Sequence, residues 1–99
     1  MKKLFISQPM RGKTDEEILV VRKQAIESAE KLVGEPLEVI DSFFQSAPAG
    51  AKPLWFPGKS LELLADADVA YFVPGWEEAR GCKIEHTCAV EYSIDRIEP

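Results

Sequence analysis

The chain has 99 residues, of which 45% are apolar and 29% charged, with a formal net charge of −5. A chain of that size makes one domain, 1–99, burying roughly 60–65% of its unfolded surface around a single core. No apolar run approaches the ~20 residues of a membrane helix, and the stretch behind Lys2 and Lys3 stops at Ile6, too short for a signal peptide. The expectations are a cytoplasmic protein with no membrane partner. The acidic balance and lack of any basic block repel a polyanion, so no nucleic acid polymer is expected as a partner either. Cys82 and Cys88 fall on different faces of one predicted helix, which favours reduced thiols over a disulfide.

In chain order, Lys3–Ser7 is a short apolar run read as a buried first strand. Gln8–Lys13 follows as a loop with Pro9 and Gly12 as breakers. Thr14 and Glu17 have the spacing of a capping box, and Ile18, Val21, Ala25, Ile26, Ala29, Leu32 and Val33 then recur at helical spacing until Gly34 and Pro36. Leu37–Ile40 reads as a second strand with Asp41 and Ser42 at its carboxyl end. From Phe43 to Gly58 no period holds, and Phe43, Phe44, Trp55 and Phe56 stand in a region rich in proline, which reads as a long functional loop. Ser60–Ala67 reads as a short amphipathic helix, and Val69–Val73 as a third strand. Pro74–Gly81 forms the next loop. Cys82–Tyr92 is a final helix with Ile84, Cys88, Ala89 and Tyr92 on one face, and a short fourth strand is expected around Arg96 and Ile97.

Strands alternating with helices imply a mainly parallel sheet covered on both faces. The expected fold is therefore a small three-layer α/β domain, Rossmann-like or flavodoxin-like, with about four strands in the order 2-1-3-4. In such sheets a ligand sits outside the carboxyl ends of the strands, near the switch point. The loops after the first and third strands, Ser7–Gly12 and Gly75–Glu85, flank that point.

Among residues able to carry chemistry, Glu85 is the sharpest. Placed in the first turn of the last helix, it would be kept ionised by the helix dipole, although acidic residues favour first turns without any active site. Asp68 precedes the third strand and Asp41 ends the second; each serves equally well as a turn former. Ser7 and the Gln8–Gly12 backbone suit a phosphate or sugar hydroxyl. Arg11 and Arg80 are possible phosphate ligands, and Trp76 or Trp55 could stack on a base. Cys82 and His86 lie one helical turn apart, but Cys88 falls about 200° further round and no fourth ligand is evident, so no metal is expected. His86 reads as a polar helix residue beside Glu85.

Leu4-Phe5-Ile6-Ser7-Gln8-Pro9-Met10 resembles the opening strand and loop of the nucleoside 2-deoxyribosyltransferase-like superfamily. Asp68-Val69-Ala70-Tyr71-Phe72-Val73-Pro74-Gly75-Trp76, with Arg80-Gly81 and Glu85 to Ala89, resembles its second half. The likeness spans most of residues 3–92 and is similar to small members with a YISGPM-like start. It implies a flavodoxin-like fold and attack on the anomeric carbon of a deoxyribonucleoside or its 5′-monophosphate. It also implies Glu85 as nucleophile, Asp68 as the residue that handles the base, and Ser7, Gln8, Pro9 and Met10 as walls of the pocket. Asp41, Gly75, Trp76, Arg80 and Gly81 are further expected substrate contacts. Where family enzymes often carry another aspartate, six residues before the nucleophile, this chain has Ala79.

The implied activity is an N-glycosidase or deoxyribosyltransferase working through a covalent glycosyl-glutamate, with no cofactor. The partner is a small-molecule nucleoside or nucleotide, and a homo-oligomer is expected because so small a sheet gains from pairing. A non-catalytic nucleotide-binding or sensing module of the same fold is the alternative, and an interaction protein built on the aromatic loop 43–58 is a third reading.

Overall fold

The computed structural model describes residues 1–43 and 47–99, so Phe44 of the aromatic loop lies outside the described residues. Four parallel strands form one sheet in the order β2-β1-β3-β4. They are β1 (Lys3–Ser7), β2 (Glu38–Val39), β3 (Val69–Phe72) and β4 (Asp95–Ile97). The helices are α1 (Asp15–Val33), α2 (Trp55–Leu64) and α3 (Arg80–Glu91), with a single 3-10 turn at Trp76–Glu78 before α3. This is the expected α/β architecture and strand order, and it is consistent with a flavodoxin-like fold.

Strand alternation builds the three layers. Side chains of successive residues leave a strand on opposite faces. Leu4 and Ile6 of β1 join Val69 and Tyr71 of β3 under Ala25 and Ala29 of α1. Phe5 of β1 and Ala70 and Phe72 of β3 pack instead against Leu64 of α2 and Ala89 of α3. Leu4, Phe5, Ile6 and Phe72 are each at most 1% exposed. Fully burying a side chain of that kind stabilises a fold by roughly 1.5–3 kcal/mol, so these two strands anchor both cores.

The start of α1 follows its local chemistry. Glu17 N–H donates to Thr14 Oγ1 and Thr14 N–H donates to Glu17 Oε1, both at 3.1 Å. Hydrogen bonds from the Thr14 amide and then its hydroxyl hold the Glu17 carboxyl below its ordinary range. At the far end Gly34 takes the left-handed conformation (φ 83°) and donates to the Glu30 carbonyl, an ending that glycine adopts without a Cβ penalty.

Several boundaries differ from expectation. The second helix begins at Trp55, not Ser60, and ends at Leu64. Its Pro57 lies in the first turn, where a missing N–H goes unused, so this proline does not break the helix. Pairing in β2 covers only Glu38 and Val39, flanked by single backbone bonds from Glu38 to Lys2 and from Ile40 to Leu4. The third strand stops at Phe72. On α1, Leu32 is exposed while Arg22 takes a buried position.

The largest change concerns α3. It starts at Arg80, and its buried positions are Cys82 and Ala89, whereas Ile84 and Tyr92 are exposed. Glu85 falls between Cys82 and Ala89 on that same inward side, because positions three and seven apart share a helix face. No described helix is long and apolar enough to cross a membrane.

Replacing Thr14 by Ala should lower the unfolding free energy by about 1 kcal/mol, because the Glu17 N–H loses the hydroxyl that accepts from it. Thr14→Ser should restore most of it. Urea unfolding monitored by circular dichroism measures both.

Candidate functional site

The described residues contain four buried polar side chains, Ser7, Gln8, Arg22 and Ser42, and all lie at the carboxyl end of β1 or beside it. Burying a polar group is costly unless a partner compensates, so their clustering marks the place where the fold tolerates polarity.

Ser7 ends β1 and shares a face with Phe5, which aims its hydroxyl toward α3. Ser7 Oγ donates to Glu85 Oε1 at 2.6 Å, across 78 residues of sequence. The Ser60 hydroxyl of α2 lies close enough to the Glu85 carboxyl to favour its charged form, and the Cys82 thiol lies near Ser7. Glu85 is thus gripped by groups from β1 and α2 while standing on α3. Burial raises its carboxyl from an ordinary 4.5 to about 7, against the opposing pull of the Ser7 and Ser60 hydroxyls. The expectation of a dipole-stabilised, fully ionised Glu85 is therefore corrected. With α3 beginning at Arg80, Glu85 stands beyond the first turn, where the dipole acts weakly, and desolvation dominates. Burial likewise pushes the Cys82 thiol up to about 11, with the neighbouring Glu85 adding to the rise and Ser7 opposing it. At neutral pH that thiol carries its proton.

Asp68 does not join Glu85. Its Oδ2 accepts from the Lys3 N–H at 2.7 Å, at the amino end of the sheet. Ser7 lies four residues further along the neighbouring strand, a separation of about 13 Å at ~3.3 Å per residue. The reading of Asp68 and Glu85 as two carboxylates in one pocket fails on this geometry. Strand direction decides it: a residue before a parallel strand and one after it lie at opposite edges of the sheet.

The other expected contacts divide between the two faces. Gln8 is buried on the α1 side, where its Nε2 donates to the Ile18 carbonyl at 3.0 Å and its Oε1 has no hydrogen-bond partner among the described residues. Pro9 and Met10 are half-buried beyond it, and Arg11 is exposed. Asp41 is exposed but electrostatically close to Arg22. Burial lowers the Arg22 pKa, with Asp41 opposing the change. The Arg22 guanidinium donates to the Ile40 carbonyl at 2.7 Å and to Ser42 Oγ at 3.4 Å, bracing the carboxyl end of β2.

After β3, Gly75 (φ 97°) turns the chain into the 3-10 segment in a conformation that suits glycine. Trp76 stacks on His86 with ring centroids 4.0 Å apart and planes 16° apart, so His86 occupies one face of the indole. The His86 ring also meets the Phe72 ring edge-on at 4.9 Å, and its Nε2 lies 2.5 Å from Glu98 Oε1. Arg80 and Gly81 are exposed at the start of α3. Arg80 lines a groove of about 320 Å³ with Lys83, Ile84, Thr87 and Cys88, on the outward side of the helix.

Sequence reasoning missed Ser60, the Arg22–Ser42 brace and the pairing of His86 with Glu98. Arg22 carried a signal, since it stands four residues after Ile18 within the apolar stripe. The other two join elements distant in the chain and had none.

No family model, curated protein or solved structure matches the chain.

The raised Glu85 carboxyl makes stability depend on pH. A group that binds its proton more tightly folded than unfolded contributes fully below its unfolded pKa, and loses that contribution as pH rises through the folded one. Glu85 should therefore cost on the order of 3 kcal/mol between about pH 4.5 and 7, at 1.36 kcal/mol per unit. Glu85→Gln should flatten that part of the curve. Denaturant unfolding of both proteins between pH 4 and 8 measures the difference.

Proposed function

We propose that this domain is an N-glycosidase or deoxyribosyltransferase acting on the N-glycosidic bond of a (deoxy)nucleoside or its 5′-monophosphate. The observation that carries this reading is the Ser7–Glu85 hydrogen bond at the carboxyl ends of β1 and β3. That is where ligands bind in open parallel sheets, since β1 and β3 flank the point at which strand order reverses. A buried carboxyl whose pKa burial raises and neighbouring hydroxyls pull back is the kind of perturbed group that gathers at functional sites. The resemblance of the Ser7–Met10 and Asp68–Ala89 stretches to the nucleoside 2-deoxyribosyltransferase-like superfamily supports the same substrate class.

In this reading a Glu85 oxygen attacks the anomeric carbon as the bond to the base nitrogen breaks. The electron pair leaves with the base, and a glycosyl ester of Glu85 results. Water or a second base then attacks that carbon and frees the carboxylate, as in retaining glycosidases. The Ser7 and Ser60 hydroxyls hold the carboxylate in its reactive orientation, and both favour its charged form.

The second reading is a nucleotide-binding module without turnover. The position of Asp68 favours it, because that carboxylate serves the Lys3 backbone at the far end of the sheet.

The test is a thermal-shift screen against nucleosides and nucleotides, followed by chromatography for released base. The proposal expects base release that falls to background in Glu85→Ala. In Ser7→Ala, the acid limb of the rate profile should move to higher pH, because a hydrogen bond that lowers the Glu85 pKa is gone. Saturable binding with no free base would instead support the binding module.

A further inference from the structure

With Asp68 at the opposite edge of the sheet, the reaction proposed above has no assigned proton donor for the departing base. Glu85 and His86 are consecutive on α3, and each reaches the end of a different neighbouring strand. Glu85 meets Ser7, the last residue of β1, and His86 meets Phe72, the last residue of β3. Ser7 and Phe72 are register partners, so their side chains leave the sheet on one face. Adjacent strands lie about 4.8 Å apart, which sets the two α3 side chains next to each other over the switch point.

The imidazole is held on three sides. Trp76 covers one face, the Phe72 ring lies across it, and Glu98, which follows β4, engages Nε2. Arg96 Nε lies 3.7 Å from the other Glu98 oxygen and steadies that carboxylate. Nδ1 has no hydrogen-bond partner among the described residues, and the side chain remains 21% exposed. A carboxylate that fixes one ring nitrogen and leaves the other free is how an imidazole is oriented to move a proton.

We propose that His86, oriented by Glu98 and the Trp76 stack, is the catalytic acid that protonates the leaving base while Glu85 attacks. The inference rests on the glycosidase reading of the same site. The proton passes from Nδ1–H of the imidazolium to a nitrogen or oxygen of the base as the C1′–N bond breaks. The neutral ring then takes a proton from the incoming water or second base as the glycosyl ester is cleaved. The favoured substrates are accordingly deoxynucleosides of ordinary neutral bases, which leave slowly unless protonated. Glu98 is a positioning residue.

The experiment compares base release by wild type, His86→Gln and Glu98→Gln across deoxynucleosides of graded leaving ability, from uracil to 5-fluorouracil and from guanine to 7-methylguanine. A lost general acid typically costs about 10²–10⁴-fold. His86→Gln should lose roughly that much on the poor leaving groups and far less on 7-methylguanine, which departs neutral without a proton. Glu98→Gln should show the same selectivity with a smaller loss, and it keeps the test available if His86→Gln fails to fold. Equal slowing of every substrate, or no slowing, would overturn the assignment of His86 while leaving the glycosidase reading intact. Absence of base release by wild type from any substrate would overturn that reading, and the role of His86 with it.

Discussion

The Ser7–Glu85 hydrogen bond ties the central part of the sheet to the last helix, and the candidate site depends on it. It puts a carboxyl group on the inward side of α3, between Cys82 and Ala89, where an apolar residue would otherwise be expected. Desolvation there works against the charge, and two hydroxyls offset part of that penalty. Perturbed carboxyls of this kind concentrate at functional sites, because burial is what tunes them toward neutrality.

Polarity is segregated along the sheet in the same way. The amino and middle parts of β1 and β3 are occupied by Leu4, Phe5, Ile6, Val69, Ala70 and Tyr71, which seal both faces under helices. At the carboxyl end Ser7 turns to α3 and Gln8 to α1, following the strand's alternation. Arg22 and Ser42 complete the polar cluster on the α1 side, where Ser42 Oγ donates to the Ile6 carbonyl at 3.4 Å. The end of β1 is therefore braced from both layers. Such bracing gives a site on loops the rigidity of the strands that feed it.

The loop after β3 plays a different part from the one its composition suggests. Trp76 spends one face on His86, and the ring pair closes over Phe72 at the end of the strand. Glu98 then joins the last described turn of chain to α3. These contacts connect three segments, and they give the neighbourhood of Glu85 a second polar group held in a fixed orientation.

Much of the fold was legible along the chain. The capping box at Thr14 and the stop at Gly34 are local chemistry, and four of the apolar runs alternate with helical periods as a parallel sheet requires. The boundary of α2 was not legible, because Pro57 reads as a breaker unless its place in a first turn is known. The buried face of α3 was legible only in part: Ala89 is buried and Cys88 packs against the core, but Ile84 and Tyr92 of the same apolar stripe are exposed. Glu85 and Ser7 stood out singly as candidates, on spacing and on a family resemblance. Sequence alone determined which residues carry reactive groups and which elements hold them. Only the tertiary structure decided their company: parallel pairing sends Asp68 to the amino edge and Ser7 to the carboxyl edge, and packing of α3 across β1 and β3 sets Glu85 and His86 over adjacent strand ends. Those relations are fixed by strand direction and helix rotation, which contacts between distant segments impose and no local pattern encodes.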